Sequence, residues 1–234
     1  MPVDSIDPGA SGSVHDANKV LIARLRAALY DFTLEGAREA VTATFAPDAV
    51  VRLAFPFEDL DGPVGLFDEA LAPLARAIPD LERRDTIVMA GPSTSGGDWV
   101  GCGGYYTGAF LHPWLGIPPT GHMAHMRFHE FFRIADGRVV EMQALWDIPE
   151  VMMQAGVWPM APSLGREWHV PGPATQDGIV HGPWDAQAAQ TSCEHVVEML
   201  AAMKRHPAEG GPELMEMERY WHPRMSWYGP SGIG

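Results

Sequence analysis

Residues Arg127 to Trp146 constrain the fold of this chain more than any other stretch. Two runs rich in aromatic and β-branched residues, Arg127–Ile134 (RFHEFFRI) and Val139–Trp146 (VVEMQALW), flank the turn Ala135-Asp136-Gly137-Arg138. An Asp-Gly turn between such runs is a strong local signature of a β-hairpin. A hairpin is not stable alone, so its apolar face needs further strands or helices. The chain supplies both. Asp85–Ala90 and Trp99–Leu111 read as strands before it, with His112–Gly121 as a loop, and Ala49–Leu53 is an earlier strand. Leu21, Leu25, Ala28, Leu29 and Phe32 share one helical face, Leu34–Phe45 forms a second helix, and Phe67–Ile78 repeats the spacing as a third. A short helical turn, Pro149–Gln154, closes on Gly156. This order predicts the α+β class, with three helices packed on one face of a curved antiparallel sheet.

Charge and composition narrow the partners. There are 16 Lys and Arg against 30 Asp and Glu, a net charge of −14, which disfavours nucleic acid and anionic lipid. No apolar run approaches the roughly 18 residues a membrane helix needs, so no membrane association is expected. Residues 1–16 lack the basic and apolar regions of a signal peptide and read as a short, mobile, acidic tail. Cys102 and Cys193 form neither a metal motif nor a disulfide framework, which makes a reducing cytoplasm the expected location. The 8 Trp and 13 Met fit either an apolar pocket or an adaptable core.

Residues 158–184 are rich in Pro and Gly and show no periodicity, as a linker or wrapping arm would. Helical spacing returns at Val196, Met199, Leu200 and Met203, then at Leu214, Met217 and Trp221. Tyr220–Trp227 lines up with Thr44–Val51 at a constant offset, and Gly229–Ile233 likewise echoes Gly62–Leu66. Residues 185–234 therefore read as the start of a second copy of the fold. Two helices and one strand cannot close a sheet, so this part either completes something on another chain or opens a longer one; the second is the expectation.

Three motifs occur in order: Gly116–Gly121 (GIPPTG), Phe132–Glu141 (FRIADGRVVE) and Asp147 followed by Gln154-Ala155-Gly156. Together they resemble the SnoaL-like polyketide cyclases of the nuclear-transport-factor-2-like superfamily, over roughly Asp16–Met160. The resemblance implies a conical α+β barrel around one apolar pocket. It also implies intramolecular aldol chemistry on a hydrophobic carbonyl compound with no metal or cofactor, and a homodimer or tandem pseudo-dimer. The resemblance implies as well that an aspartate at the end of the strand after the Asp-Gly turn serves as general acid/base, and Asp147 falls on that position. The superfold also hosts isomerases, dehydratases, hydrolases and ligand-binding modules, so fold alone does not fix the reaction.

A single carboxylate can remove a proton α to a carbonyl and return it to the alkoxide when apolar surroundings raise its pKa. Asp147 lies between Leu145-Trp146 and Ile148-Pro149; it equally suits the N-cap of the helix that follows. Strict alternation places it on one face with Val139, Glu141, Gln143 and Leu145, and that face lines the expected pocket. His129 is a candidate catalytic partner or hydrogen-bond donor to a substrate carbonyl. Trp99, Tyr106, Arg127, Glu141, Gln143 and Trp146 are candidate substrate contacts. Arg127 and Glu130 alternate, so one points inward and needs a partner. His122, His125 and His129 would converge on a metal only in a helix, and this stretch reads as a strand. Leu53 and Ala54 stand where steroid isomerases of the superfamily carry their base, which disfavours that mechanism. The alternatives are a ligand-binding module, or a dehydratase- or hydrolase-like activity using His129 with Asp147.

Overall fold

The computed structural model describes residues 13–161, 169–173, 179, 185–206 and 208–231. They fall into two units, 1–182 with 229–234 and 183–228. The first begins with α1 (Val14–Tyr30), started by a capping box in which Ser13 and Asp16 satisfy each other's backbone. The tail expected to reach residue 16 therefore ends earlier, and residues 1–12 lie outside the described ones. Ile22, Leu25 and Leu29 turn inward from α1, as their spacing requires. Thr33 caps α2 (Leu34–Thr44), which buries Ala37, Val41 and Thr44.

The third helical stretch is longer than periodicity alone predicts. It runs from α3 (Gly62–Gly65) through a π-helical segment (Leu66–Leu71) into α4 (Ala72–Ala77). The wider π turn buries Leu66, Phe67, Ala70 and Leu71 together. α5 (Ile148–Gln154) closes the first unit's regular structure.

The strands are β1 (Phe45–Leu53), β2 (Asp59–Leu60), β3 (Glu82–Pro92), β4 (Asp98–Ala109), β5 (Met123–Ala135) and β6 (Arg138–Trp146). They form one six-stranded sheet in the order β2-β1-β6-β5-β4-β3. β1 pairs parallel with β6, and every other neighbouring pair is antiparallel. α1 packs on β3 and β4 and α3 on β1, so these helices cover one face, the inner one, whereas α5 packs on β5 beside Arg127 and His125. The α+β expectation holds, with two small differences: β2 is an added edge strand, and β1 joins the sheet in parallel.

One correction decides which residues meet. Arg133 pairs with Glu141 but Ile134 pairs with Val139, so a bulge falls at Val140. The extra residue reverses the alternation. Val139 turns inward and is fully buried, while Glu141, Gln143, Leu145 and Asp147 stand on the outer face.

The second unit contains α6 (Ala186–Arg205), a 3-10 turn (Pro212–Met215) and α7 (Met217–Tyr220). Trp221 stacks on Trp227 with ring centroids 5.9 Å apart. The strand expected near Met225–Trp227 does not form among the described residues. The helical spacing expected at Val196–Met203 and Leu214–Trp221 falls in α6 and in the 3-10 turn with α7. Most of the Pro- and Gly-rich stretch, residues 162–168, 174–178 and 180–184, lies outside the described residues.

At Gly104 of β4 a Cβ would press on the Arg84 carbonyl oxygen beside the β3 bulge. Gly104→Ala is expected to lower stability by about 1–3 kcal/mol through overpacking. Gly103→Ala, whose Cβ would meet the His129 ring at an ordinary 3.4 Å, should shift it far less. Urea unfolding of the two variants checks this.

Candidate active site

Between the inner face of the sheet and the helices lies an apolar interior with one polar wall. Leu25 and Leu29 of α1, Val41 of α2, Leu66 and Leu71 of the π turn and Met142 of β6 surround a residual space. Tyr106, Glu130 and Trp146 form its polar side. The space is about that of one water molecule.

Glu130 is the group that the alternation of β5 drives inward, and it is buried to 1% exposure. One of its oxygens accepts from the Trp146 indole N–H at 2.9 Å and from the Tyr106 hydroxyl at 3.1 Å. The other accepts from the Arg83 guanidinium. Arg83 also donates to Tyr106 at 3.2 Å and to both oxygens of Asp85, and it lies over the Phe128 ring at 4.2 Å. Arg26 of α1 completes the row 3.0 Å from Asp85.

Two guanidinium groups thus alternate with two carboxylates inside an otherwise apolar core. Burial alone would pull the Arg83 pKa down, but Asp85 and Glu130 more than offset it, so the cation persists. Burial would raise the Asp85 pKa, and Arg83 and Arg26 hold it below the usual range instead. Burial and the adjacent Glu130 push the Tyr106 hydroxyl well above its ordinary value, keeping it a donor. Cys102, on the same face, is pushed up to about 12 by burial and stays a thiol.

The outer face carries a second group of polar residues. Asp147 is 5% exposed and caps α5 by accepting the Glu150 N–H at 3.2 Å. Its other oxygen accepts the Ser231 N–H at 2.8 Å. Arg127, next to it across the strands, donates to the Gly229 carbonyl oxygen and, at 3.2 Å, to the Tyr105 hydroxyl. Glu150 accepts the Arg127 backbone N–H at 2.6 Å and stands 3.4 Å from the His125 ring. Burial raises the Asp147 pKa and nearby Glu150 adds to it, against the Ser231 and Glu150 N–H groups and Arg127.

The residues singled out from sequence divide between these two faces. Tyr106 and Trp146 reach the interior. Trp99, Arg127, His129, Glu141, Gln143 and Asp147 lie outside, because β4, β5 and β6 place them at the opposite parity. Glu141 is tied to Arg133 and Gln143, each at 2.9 Å, which together with Arg52 holds its carboxyl below the usual range. His129 lies beside Gly103 and opposite Leu145, whereas both oxygens of Asp147 are held by backbone N–H groups. His122 is exposed before β5 and separate from His125 and His129. Among the described residues no group of three or more His, Cys, Asp or Glu could hold a metal ion.

Sequence reasoning missed Arg83 and Asp85 as partners. The legible signal was the pattern Glu82-Arg83-Arg84-Asp85, followed after Thr86 by the apolar Ile87-Val88, which puts Arg83 and Asp85 on one strand face.

The model of the SnoaL-like polyketide cyclases matches residues 23–155, more than half of the chain. The chain belongs to the SnoaL-like polyketide cyclase family. No curated protein sequence matches it. Among solved structures, a SnoaL-like protein of Jannaschia sp. CCS1 is similar at 23% identity and a TM-score of 0.52, over 68% of this chain and 100% of that one. AclR of Streptomyces galilaeus is similar at 21% identity and a TM-score of 0.52, over 63% of this chain and 90% of that one. At this identity the likeness is one of fold. No described helix is long and apolar enough to cross a membrane.

The raised Asp147 pKa makes a signed prediction. In the folded state Asp147 holds its proton more tightly than in the unfolded chain, so its ionisation costs stability as pH rises through the gap between the two values. Asp147→Asn does not ionise. Relative to wild type, the variant should gain stability from about pH 3.5 upward and level off above the raised value. Urea midpoints of both proteins from pH 3.5 to 7.5 test this; a constant difference would contradict it.

Proposed function

We propose that this family member catalyses acid/base chemistry of the cyclase type on a hydrophobic carbonyl compound held in the interior, at Glu130 and Tyr106. The observation that carries this reading is a buried carboxylate that shares its hydrogen bonds with a phenol, an indole and a guanidinium at the edge of the residual apolar space. Groups of opposite role placed together in an apolar site are what proton abstraction next to a carbonyl needs.

In this reading Glu130 takes the proton α to one carbonyl, and the C–H electron pair forms the bond to a second carbonyl carbon. Once Glu130 carries that proton, the Tyr106 hydroxyl it had accepted from turns to the new alkoxide, gives it its proton and takes the proton back from Glu130, so that both groups end as they began. Arg83 positions Glu130. Trp146 offers a flat apolar wall. A substrate larger than one water displaces Leu66, Leu71 and Met142, which line the space.

A second reading keeps the acid/base role at Asp147. It is favoured by the burial of that carboxyl, its raised pKa and an adjacent Arg127 that holds a carbonyl oxygen. A third, ligand binding without turnover, shares the interior site of the first.

Aromatic and poly-β-carbonyl compounds screened for ring closure separate the three. Under the first reading Glu130→Gln lowers kcat/KM by about 10²–10⁴-fold, and Tyr106→Phe, which keeps the Glu130–Arg83 pair, by about 10²-fold. Asp147→Asn stays within a few-fold. The second reading reverses the pattern, and saturable binding with no product in the wild type establishes the third. Circular dichroism of each variant confirms folding.

A further inference from the structure

The outer polar group has a feature that chemistry in the interior does not use: it reads main chain. Arg127 donates to the Gly229 carbonyl oxygen and Asp147 accepts the Ser231 N–H, while the Ser231 hydroxyl, also buried, has no hydrogen-bond partner. One strand over, the Tyr105 hydroxyl accepts the Val170 N–H at 3.1 Å. The His169 ring rests 4.1 Å from the Tyr105 ring and 4.9 Å from that of His125. Two separate segments of the first unit therefore dock on neighbouring residues, joined by the Arg127–Tyr105 hydrogen bond.

We propose that Arg127 and Asp147 form a binding site for peptide main chain, and that Gly229-Pro230-Ser231 fills it as an intramolecular ligand. A guanidinium only donates and an ionised carboxylate only accepts, so the pair fixes chain direction: a carbonyl first, an N–H two residues later. The residue between them is proline. It brings no N–H that would need an acceptor, and its fixed φ lowers the cost of ordering the segment. The site thus takes an X-Pro-X peptide with small flanking residues, recognised by backbone rather than by side chain. The unpartnered Ser231 hydroxyl adds a distinctive consequence: alanine at that place binds at least as well, because a buried hydroxyl without a partner costs free energy.

The test uses the full chain and the probe peptide acetyl-Tyr-Gly-Pro-Ser-Gly-amide, which copies Tyr228–Gly232. Ser231→Pro deletes the N–H that Asp147 holds and releases the internal segment. A tethered segment competes at an effective concentration on the order of millimolar, so wild type resists the probe and Ser231→Pro binds it at least tenfold more tightly. Adding Asp147→Ala to Ser231→Pro reverses the gain at least tenfold, and a probe with alanine for serine binds as well or better. Equal affinity for wild type and Ser231→Pro, no binding to Ser231→Pro, or binding indifferent to Asp147→Ala overturns the proposal. Amide hydrogen exchange on unmodified protein gives a check free of folding effects. The Ser231 N–H should exchange at least tenfold more slowly than a free chain, and exchange at the free rate also overturns it.

Discussion

Glu130 and Arg83 face each other inside the first unit with almost no solvent contact, and the rest of the interior is arranged around that fact. A carboxylate or a guanidinium withdrawn from water alone costs several kcal/mol, so neither can be there without the other. The surrounding groups complete the pairing. Asp85 takes the remaining guanidinium donors, Arg26 balances Asp85, and Tyr106 with Trp146 occupies the second Glu130 oxygen. Four elements, α1, β3, β4 and β5, and the last residue of β6 are drawn to one register by this row of charges. Apolar packing alone tolerates small slips of a strand; a buried ionic row does not.

The sheet separates two chemistries. Its inner face meets helices and holds a closed, nearly filled interior, whose polar wall suits a reaction that must be kept from water. Its outer face holds a cluster that meets the chain's own backbone. The bulge at Val140 is the device that separates them, since without it Asp147 would share a face with Val139 and the candidate carboxylates would converge. One inserted residue assigns Glu130 and Asp147 to opposite sides.

Much of this was legible in the sequence. The hairpin turn, the spacing of Ile22, Leu25 and Leu29, and the three ordered motifs predict the α+β fold and the family. Alternation along β5 correctly requires one of Arg127 and Glu130 to be inward with a partner. The partner itself was hidden, because Arg83 precedes the apolar run that marks β3, and a strand read from apolar residues alone starts too late. The bulge was equally hidden: Arg138-Val139-Val140-Glu141 carries no glycine or proline to signal it, and strict alternation then sends every later residue of β6 to the wrong side. The segment Gly229–Ser231 echoes Gly62–Val64 in sequence yet docks through its backbone, which side-chain patterns cannot show.

The central claim is that Glu130 and Arg83 act as one unit, and a double-mutant cycle measures it directly. Urea unfolding of Arg83→Met, Glu130→Gln and the double variant gives the coupling. Each single change should cost about 3–5 kcal/mol because it strands the opposite charge. The double variant should cost less than the sum of the two by about 1–3 kcal/mol. Costs that add to within about 0.5 kcal/mol would show that the two groups do not depend on each other, and the account of the interior would fail.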